Sequence, residues 1–294
     1  MMENLTAISS PSTQTPSSIR LWRPAAQRNL RNQWSKLLSR KTQWMSIASD
    51  GRSNATALVN AHLSQRYTPQ MDFGVLKEMP GIVEKSTQKF TQKQEIWRLK
   101  LLSSYKDMVK ITCHLSELLS SMRCFQKGSC SSSIVRFSNN SDDRNDMGDG
   151  GGVSVFSSWP MSHFEELAQE LVDMFVLELS FKRLLMVSLL LSTNCQESSR
   201  QQADAFCWSN ELYPGEFDDL TATNLISKES GQPISPGLQD PTFNTVITKT
   251  SGSLVSREVL QVYLTAWFSN LNIDMNRVED IFRMVEWEMQ VKLS

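Results

Sequence analysis

Two residue types that carry most metal and nucleophile chemistry are scarce in this 294-residue chain, which has three histidines and five cysteines. A metal centre needs several such ligands to converge. His62, His114 and His163 are far apart and each fits a helix or a helix cap. Cys113, Cys124, Cys130, Cys195 and Cys207 are odd in number and sparse, unlike a disulfide scaffold, and read as reduced thiols. Cys124 and Cys130 lack the tight Cys-x-x-Cys spacing of a zinc site. Cys113 and His114 are neighbours on a helix and so point different ways. The expectation is no metal and no cofactor.

Catalytic signatures are missing as well. There is no Gly-x-x-x-x-Gly-Lys-Ser/Thr, no Gly-x-Gly-x-x-Gly, no Gly-x-Ser-x-Gly and no His-Glu-x-x-His. The glycines of 148–152 have no apolar strand before them and no helix after them, so they do not form a phosphate cradle. The adjacent acids Glu165–Glu166 and Asp218–Asp219 read as solvated charge, since acid–base work needs a pocket to perturb them. Long apolar runs are absent too. The richest is Leu184–Leu191, interrupted by Ser188, whereas a membrane span needs about 20 residues. It reads as a buried core helix. The first residues have no apolar stretch flanked by basic residues, so a secretory signal is not expected. They are rich in Ser and Thr and followed by arginines, which also describes an organellar transit peptide.

What the chain does carry is helical rhythm. Residues 1–19 are a polar tail, expected to be disordered. Pro24 suits a first helical turn, and Leu30, Trp34, Leu37, Leu38, Met45 and Ala48 then recur at three and four residues. Gly51 is expected to end that helix and Ser53 to cap a second one, making 20–66 a pair of basic amphipathic helices. Residues 80–126 predict one long helix. Its seam runs Trp97, Leu101, Ser104, Met108, Ile111, Leu115, Leu118, Met122 and Phe125, a heptad pattern. A coiled coil between chains and a long helix inside a bundle both use this spacing. Residues 127–161 read as a flexible linker, with Ile134–Phe137 and Val153–Phe156 as a small hairpin. Ser162 and Glu165 fit a capping box that opens an apolar core helix over 162–193. Residues 195–254 hold four prolines and read as an irregular excursion, and 255–294 as a C-terminal helical hairpin whose first helix Ser256 caps. The fold class expected is mainly α, an irregular helical bundle with a disordered N-terminal tail and long irregular loops. Helices 81–126, 162–193 and 256–292 would form its core, with the basic helices docked on it.

Charge is unevenly placed. Residues 20–66 carry nine cations, among them Arg20, Arg23, Arg28, Arg31, Lys36, Arg40 and Lys41, against the single acid Asp50. That surplus of eight, in a chain of net charge −1, leaves −9 on the remainder. Such a basic front, interleaved with Trp22, Trp34 and Trp44, suits an acidic protein surface or a nucleic acid. Trp34 shares a face with Leu30 and Leu38 and so reads as core rather than as a stacking platform. The opposite signal is 204–220, where Phe206, Trp208, Tyr213 and Phe217 stand among Asp204, Glu211, Glu216, Asp218 and Asp219. Aromatics beside acids suit a docking motif for another protein, with Trp208, Tyr213 and Phe217 as its anchors. They equally suit a loop pinned onto the chain's own helices. A third possibility is that this segment folds back on the basic front and competes with an outside partner.

At Ser18-Ile19-Arg20-Leu21-Trp22-Arg23-Pro24 and across 208–220 the chain resembles a land-plant protein family, a resemblance that implies no activity. Its texture is similar to plant coiled-coil factors of chromosomes and the spindle. The function expected is a non-enzymatic helical adaptor or complex subunit, nuclear or cytoplasmic, linked to chromosome or cell-division machinery. Its partners would be proteins, met through the heptad seam or the acidic-aromatic segment. The alternatives are a nucleic-acid-binding protein using the basic front, and a helical protein imported into a chloroplast or mitochondrion.

Overall fold

The computed structural model describes residues 16–122, 154–193, 208–226, 233 and 255–294. It is mainly α. Among the described residues six α-helices follow one another: α1 (Pro16–Tyr67), α2 (Ile82–Met122), α3 (Met161–Ser192), the short α4 (Glu216–Ala222), α5 (Arg257–Ser269) and α6 (Met275–Met289). Among the described residues the one piece of extended pairing is an isolated bridge between Ile226 and Pro233. No described helix is long and apolar enough to cross a membrane.

The frame is a long antiparallel pair, α1 against α2. Asn29 Nδ2 donates to the Ser121 carbonyl at 3.3 Å, Asn54 Nδ2 to Ser104 Oγ at 3.0 Å, and Gln65 Nε2 to Thr91 Oγ1 at 2.9 Å. These three contacts set the register along most of the pair. The heptad seam is spent here. Leu101, Ser104, Met108, Ile111, Leu115 and Met122 are buried within the chain itself, and Trp97 and Leu118 are partly so. Phe125 lies outside the described residues. The polar seam position, Ser104, is the hydroxyl that receives Asn54.

Helix α1 is not an accessory docked on a core but part of the core. Leu30, Trp34, Leu37, Trp44, Ala55 and Leu58 are fully buried. Trp34 meets Phe282 of α6 edge-on at 5.8 Å, and Trp44 meets Phe175 of α3 at 5.4 Å. One helix therefore runs where two were expected, and Gly51 shows why. A Cβ on Gly51 would stand 2.8 Å from Cζ2 of Trp267, so the missing side chain makes room for an indole from α5. The Trp267 Nε1–H donates to the Ala48 carbonyl at 3.2 Å in the same notch. Packing of a large aromatic outweighs the roughly 1 kcal/mol that a mid-helix glycine costs. Ser53 caps nothing; its hydroxyl donates back to the Ser49 carbonyl at 3.2 Å, as helix-interior serines do. At the other end the helix begins at Pro16, within the stretch read as a disordered tail, and runs through Pro24. Pro24, expected in a first turn, instead stands about two turns inside α1, where it forfeits an i→i−4 backbone bond. Residues 1–15 lie outside the described residues.

Two further expectations change. The apolar helix begins at Met161 with Pro160 as its extended N-cap residue, and no side chain caps it. Ser162 and Glu165 thus sit inside the first turns and form no capping box. The hairpin strand 134–137 and most of the linker fall outside the described residues; Val155 and Phe156 lie in a bend, not a strand. The C-terminal hairpin is as expected. Ser256 Oγ accepts from Val259 N at 3.4 Å to cap α5, Asp274 caps α6, and Asn270 and Gln290 end the two helices in the left-handed region.

Trp267 cannot yield, because its ring is buried and hydrogen-bonded. Overpacking costs about 1–3 kcal/mol, against at most about 1 kcal/mol gained in helix propensity. Gly51→Ala should therefore lower the chain's stability, by about 1 kcal/mol net, in chemical denaturation. An unchanged or raised midpoint would count against the notch.

Candidate functional site

Helix α3 threads the core and carries Glu178, Lys182 and Arg183 with essentially no exposure. Charges this deep demand partners; Glu178 and Lys182 pair with each other, and the other partners come from distant parts of the chain. Arg183 Nε donates to Glu216 Oε1 at 2.8 Å and Nη2 to Oε2 at 3.3 Å. Its other donors reach the carbonyls of Trp208 at 2.6 Å and Asn210 at 2.8 Å. Glu216 also receives the Tyr105 hydroxyl at 2.7 Å and the Leu212 N–H at 2.6 Å. Both ions are thus surrounded by hydrogen bonds. Gly215 makes the turn into α4 at φ 83, a conformation open to glycine at little cost.

The acidic-aromatic segment is consequently pinned onto α2 and α3, not onto the basic front. Trp208 and Phe217 flank the Arg183 guanidinium at 4.7 and 6.0 Å. Tyr213 is buried, with Lys106 over its ring at 4.7 Å and its hydroxyl donating to Asp219 at 2.9 Å. Burial, and then Asp219 and Glu216, push its phenol well above the ordinary range. Cys113 donates to the Asp219 carbonyl at 3.1 Å, and burial together with Asp219 pushes its thiol up to about 11. A thiol so held is not a nucleophile at neutral pH. Cys124, Cys130, Cys195 and Cys207 lie outside the described residues.

The other two α3 charges fasten the C-terminal hairpin. Lys182 Nζ lies 2.8 Å from Glu178 Oε1 and also donates to the Trp267 carbonyl. Burial pushes its ammonium below the ordinary lysine value, against the pull of Glu178. Glu178 Oε2 accepts from Asn272 N at 2.9 Å and Asn272 Nδ2 at 3.0 Å in the α5–α6 turn. On α6, Glu288 is buried and accepts from Ser158 N at 2.5 Å, Ser158 Oγ at 2.9 Å and Trp159 N at 2.8 Å. Burial works against its ionisation, yet these donors hold its carboxyl below the usual range. Half-exposed Glu170 pairs with Arg277 through both oxygens, at 2.6 and 2.7 Å, which lowers it too.

The basic front lies along α1. Arg20 belongs to that helix, but its side chain lies outside the described residues. Arg23 is used internally, donating to the carbonyls of Val155 at 2.9 Å and Phe156 at 2.6 Å. Arg40 bonds Gln43 at 2.7 Å, and Lys41 stands 6.0 Å from the Phe282 ring centroid. Arg28, Arg31 and Lys36 are exposed, Arg31 lying across the Phe156 ring at 5.2 Å. Among the described residues no ion pair engages any of these cations.

Of the aromatics interleaved with this front, Trp34 and Trp44 are buried and present no ring to a ligand, and the side chain of Trp22 lies outside the described residues. Among the described residues no three His, Cys, Asp or Glu side chains gather as a metal site. His62 is buried and held neutral, first by burial and then by Arg66. The chain matches no protein-family model and no curated protein. The buried carboxylates and cations were missed in the sequence. The clue was available: Glu178, Lys182 and Arg183 interrupt a helix that is apolar on most other sides.

Removing one member of the Arg183–Glu216 pair leaves the other buried and uncompensated. Glu216→Gln or Arg183→Met should cost about 3–5 kcal/mol and expose 208–226 to proteases, whereas changing both to apolar residues together should cost less. Single losses within about 0.5 kcal/mol, the scale of surface substitutions, would contradict the pinning. Glu288 and Glu170 have folded pKa values below the ordinary 4.5. Their contribution is full above the unfolded value and is lost as pH falls through the folded one. Stability should therefore fall on acidification below pH 4.5, and Glu288→Gln should flatten that slope; an identical slope would remove Glu288 from the account.

Proposed function

We propose that the chain is a non-enzymatic helical adaptor or complex subunit that binds an acidic surface of another protein through the exposed edge of α1. The observation that carries this reading is the row Arg28, Arg31 and Lys36. All three are exposed, and no described carboxylate pairs with them. They are held on a helix whose opposite face is fully buried, so their spacing is rigid. Cations on a fixed backbone need no folding of the segment on binding, and they speed encounter with a negative partner.

A protein is favoured over a nucleic acid because Trp34 and Trp44 are committed to the core, which leaves the described part of this edge without a stacking platform. The seam of α2 and the aromatics of 208–217 serve the chain's own packing, so the reading assigns neither to an outside partner. A place in the nucleus, in chromosome or division machinery, accords with the resemblance of the chain to plant factors of that kind and belongs to the same proposal.

The test is isolation of native complexes on the full chain and on Arg28→Glu/Arg31→Glu/Lys36→Glu, with and without nuclease. Partners should bind the parent chain, be lost from the triple variant, weaken with salt and survive nuclease. Recovery that nuclease abolishes would assign the edge to nucleic acid instead. Equal recovery on both chains would overturn the reading.

A further inference from the structure

The far end of the bundle, away from Arg28, offers a second surface. A groove of about 460 Å³ opens between the last turns of α1, the first turns of α5 and one residue of α2. Val59, Leu63 and Tyr67 line it from α1, Leu264 from α5 and Phe90 from α2, with Met71 at its edge. Val59 and Leu63 stand four residues apart, as do Leu63 and Tyr67, and so form one ridge; Arg257, Gln261 and Leu264 form the facing one. Two parallel-running ridges with an open valley accept a third helix. Tyr67 and Met71, both in the lining, are exposed at 42 and 58%, and the chain that follows leaves Leu76 and Met79 exposed at 51 and 53%. Clustered apolar exposure of that kind marks an interaction surface.

Charge narrows the occupant. Arg257 lines the groove, and no acid does. Lys93 stands 5.7 Å from the centroid of the Phe90 ring. Arg66 donates to the Val255 carbonyl at 3.0 Å, two residues before Arg257. The nearby acids are Asp72, which follows Met71 and pairs with Lys77 at 3.5 Å, and Glu258, which is engaged with Ser256 and its own backbone at the start of α5, an engagement that lowers its pKa. Arg257 is therefore the one charge in a lining of apolar side chains with Asn60, Ser64 and Gln261 among them, and Arg66 lies close by through its bond to Val255.

We infer that this groove docks an acidic amphipathic helix of a partner protein, its apolar residues on Leu63, Tyr67 and Leu264 and a carboxylate on Arg257. The inference rests on the adaptor reading above, but it uses a different surface and can fail separately. A helix is preferred to an extended strand because among the described residues no sheet edge is present to receive one.

The probe is a labelled synthetic peptide of about 15 residues, long enough to be marginally helical, with leucines at three- and four-residue spacing and glutamates beside them. A matched peptide carries lysines in place of the glutamates. Binding to the full chain is read by anisotropy and located by hydrogen exchange. The glutamate peptide should bind about tenfold more tightly than the lysine peptide, the scale of one interface charge. It should slow exchange over 59–71 and 257–264. Arg257→Glu should invert the preference, and Tyr67→Ala should weaken both peptides; both residues are exposed, and the far-ultraviolet spectrum checks that each variant is folded. Equal affinity for the two peptides would overturn the inference. So would protection along 28–43 instead, which would leave the basic-edge reading standing. Concentration-dependent dimerisation that masks 59–71 would assign the groove to a second copy of the chain and also overturn it.

Discussion

Three charged side chains on one buried helix dictate where much of this molecule goes. Glu178, Lys182 and Arg183 pass through the core on α3, and an ion in such surroundings costs several kcal/mol unless it is paired and hydrogen-bonded. Glu178 and Lys182 pair with each other on α3, and the remaining partners come from far along the chain. They are the Trp267 carbonyl and Asn272 in the C-terminal hairpin, and Glu216 with the carbonyls of Trp208 and Asn210 in the segment before it. An apolar core would accept these elements in several positions. Directional bonds to buried ions accept one. The hairpin and the acidic-aromatic segment are placed by polar geometry on a frame that α1 and α2 build by apolar packing.

Where periodicity alone decides, the sequence was readable. The seam from Leu101 to Met122, the apolar run of α3 and the helices after Ser256 and Asp274 are all visible as repeats at three and four residues. What one residue type can mean in two ways was not. Gly51 reads as a stop signal because glycine is a poor helix former. Its value here is the absent Cβ, which matters only once Trp267, more than two hundred residues later, is known to lie against it. Ser162 and Glu165 have the spacing of a capping box, but the chain enters α3 from Pro160, and Ser158 and Trp159 give their N–H groups to Glu288. Trp208, Tyr213 and Phe217 read equally as an outward motif and as an inward clasp. Only the position of Arg183 separates these, and no local pattern reveals it.

With the described seam and aromatics used internally, the two surfaces proposed for other molecules lie at two ends of α1. One is an edge of cations without acidic partners. The other is a largely apolar valley with Arg257 in its lining. Each has the character of a binding surface, and each is held on long helices whose other faces are buried, so neither has to be ordered at the moment of binding. Half-buried Cys113 and buried His62 are held in their neutral forms, in each case chiefly by burial. A rigid frame presenting two differently built surfaces suits a part that joins other parts.

The account turns on whether the segment carrying Glu216 belongs to the core or merely lies on it. Native-state hydrogen exchange of the full chain decides this directly. The amides of 216–222 should exchange only with those of α3, in the same slow and cooperative opening, because freeing one leaves the Arg183 charge buried alone. Exchange of 216–222 by an independent, fast local opening while α3 stays protected would show that the buried pair does not hold the structure together.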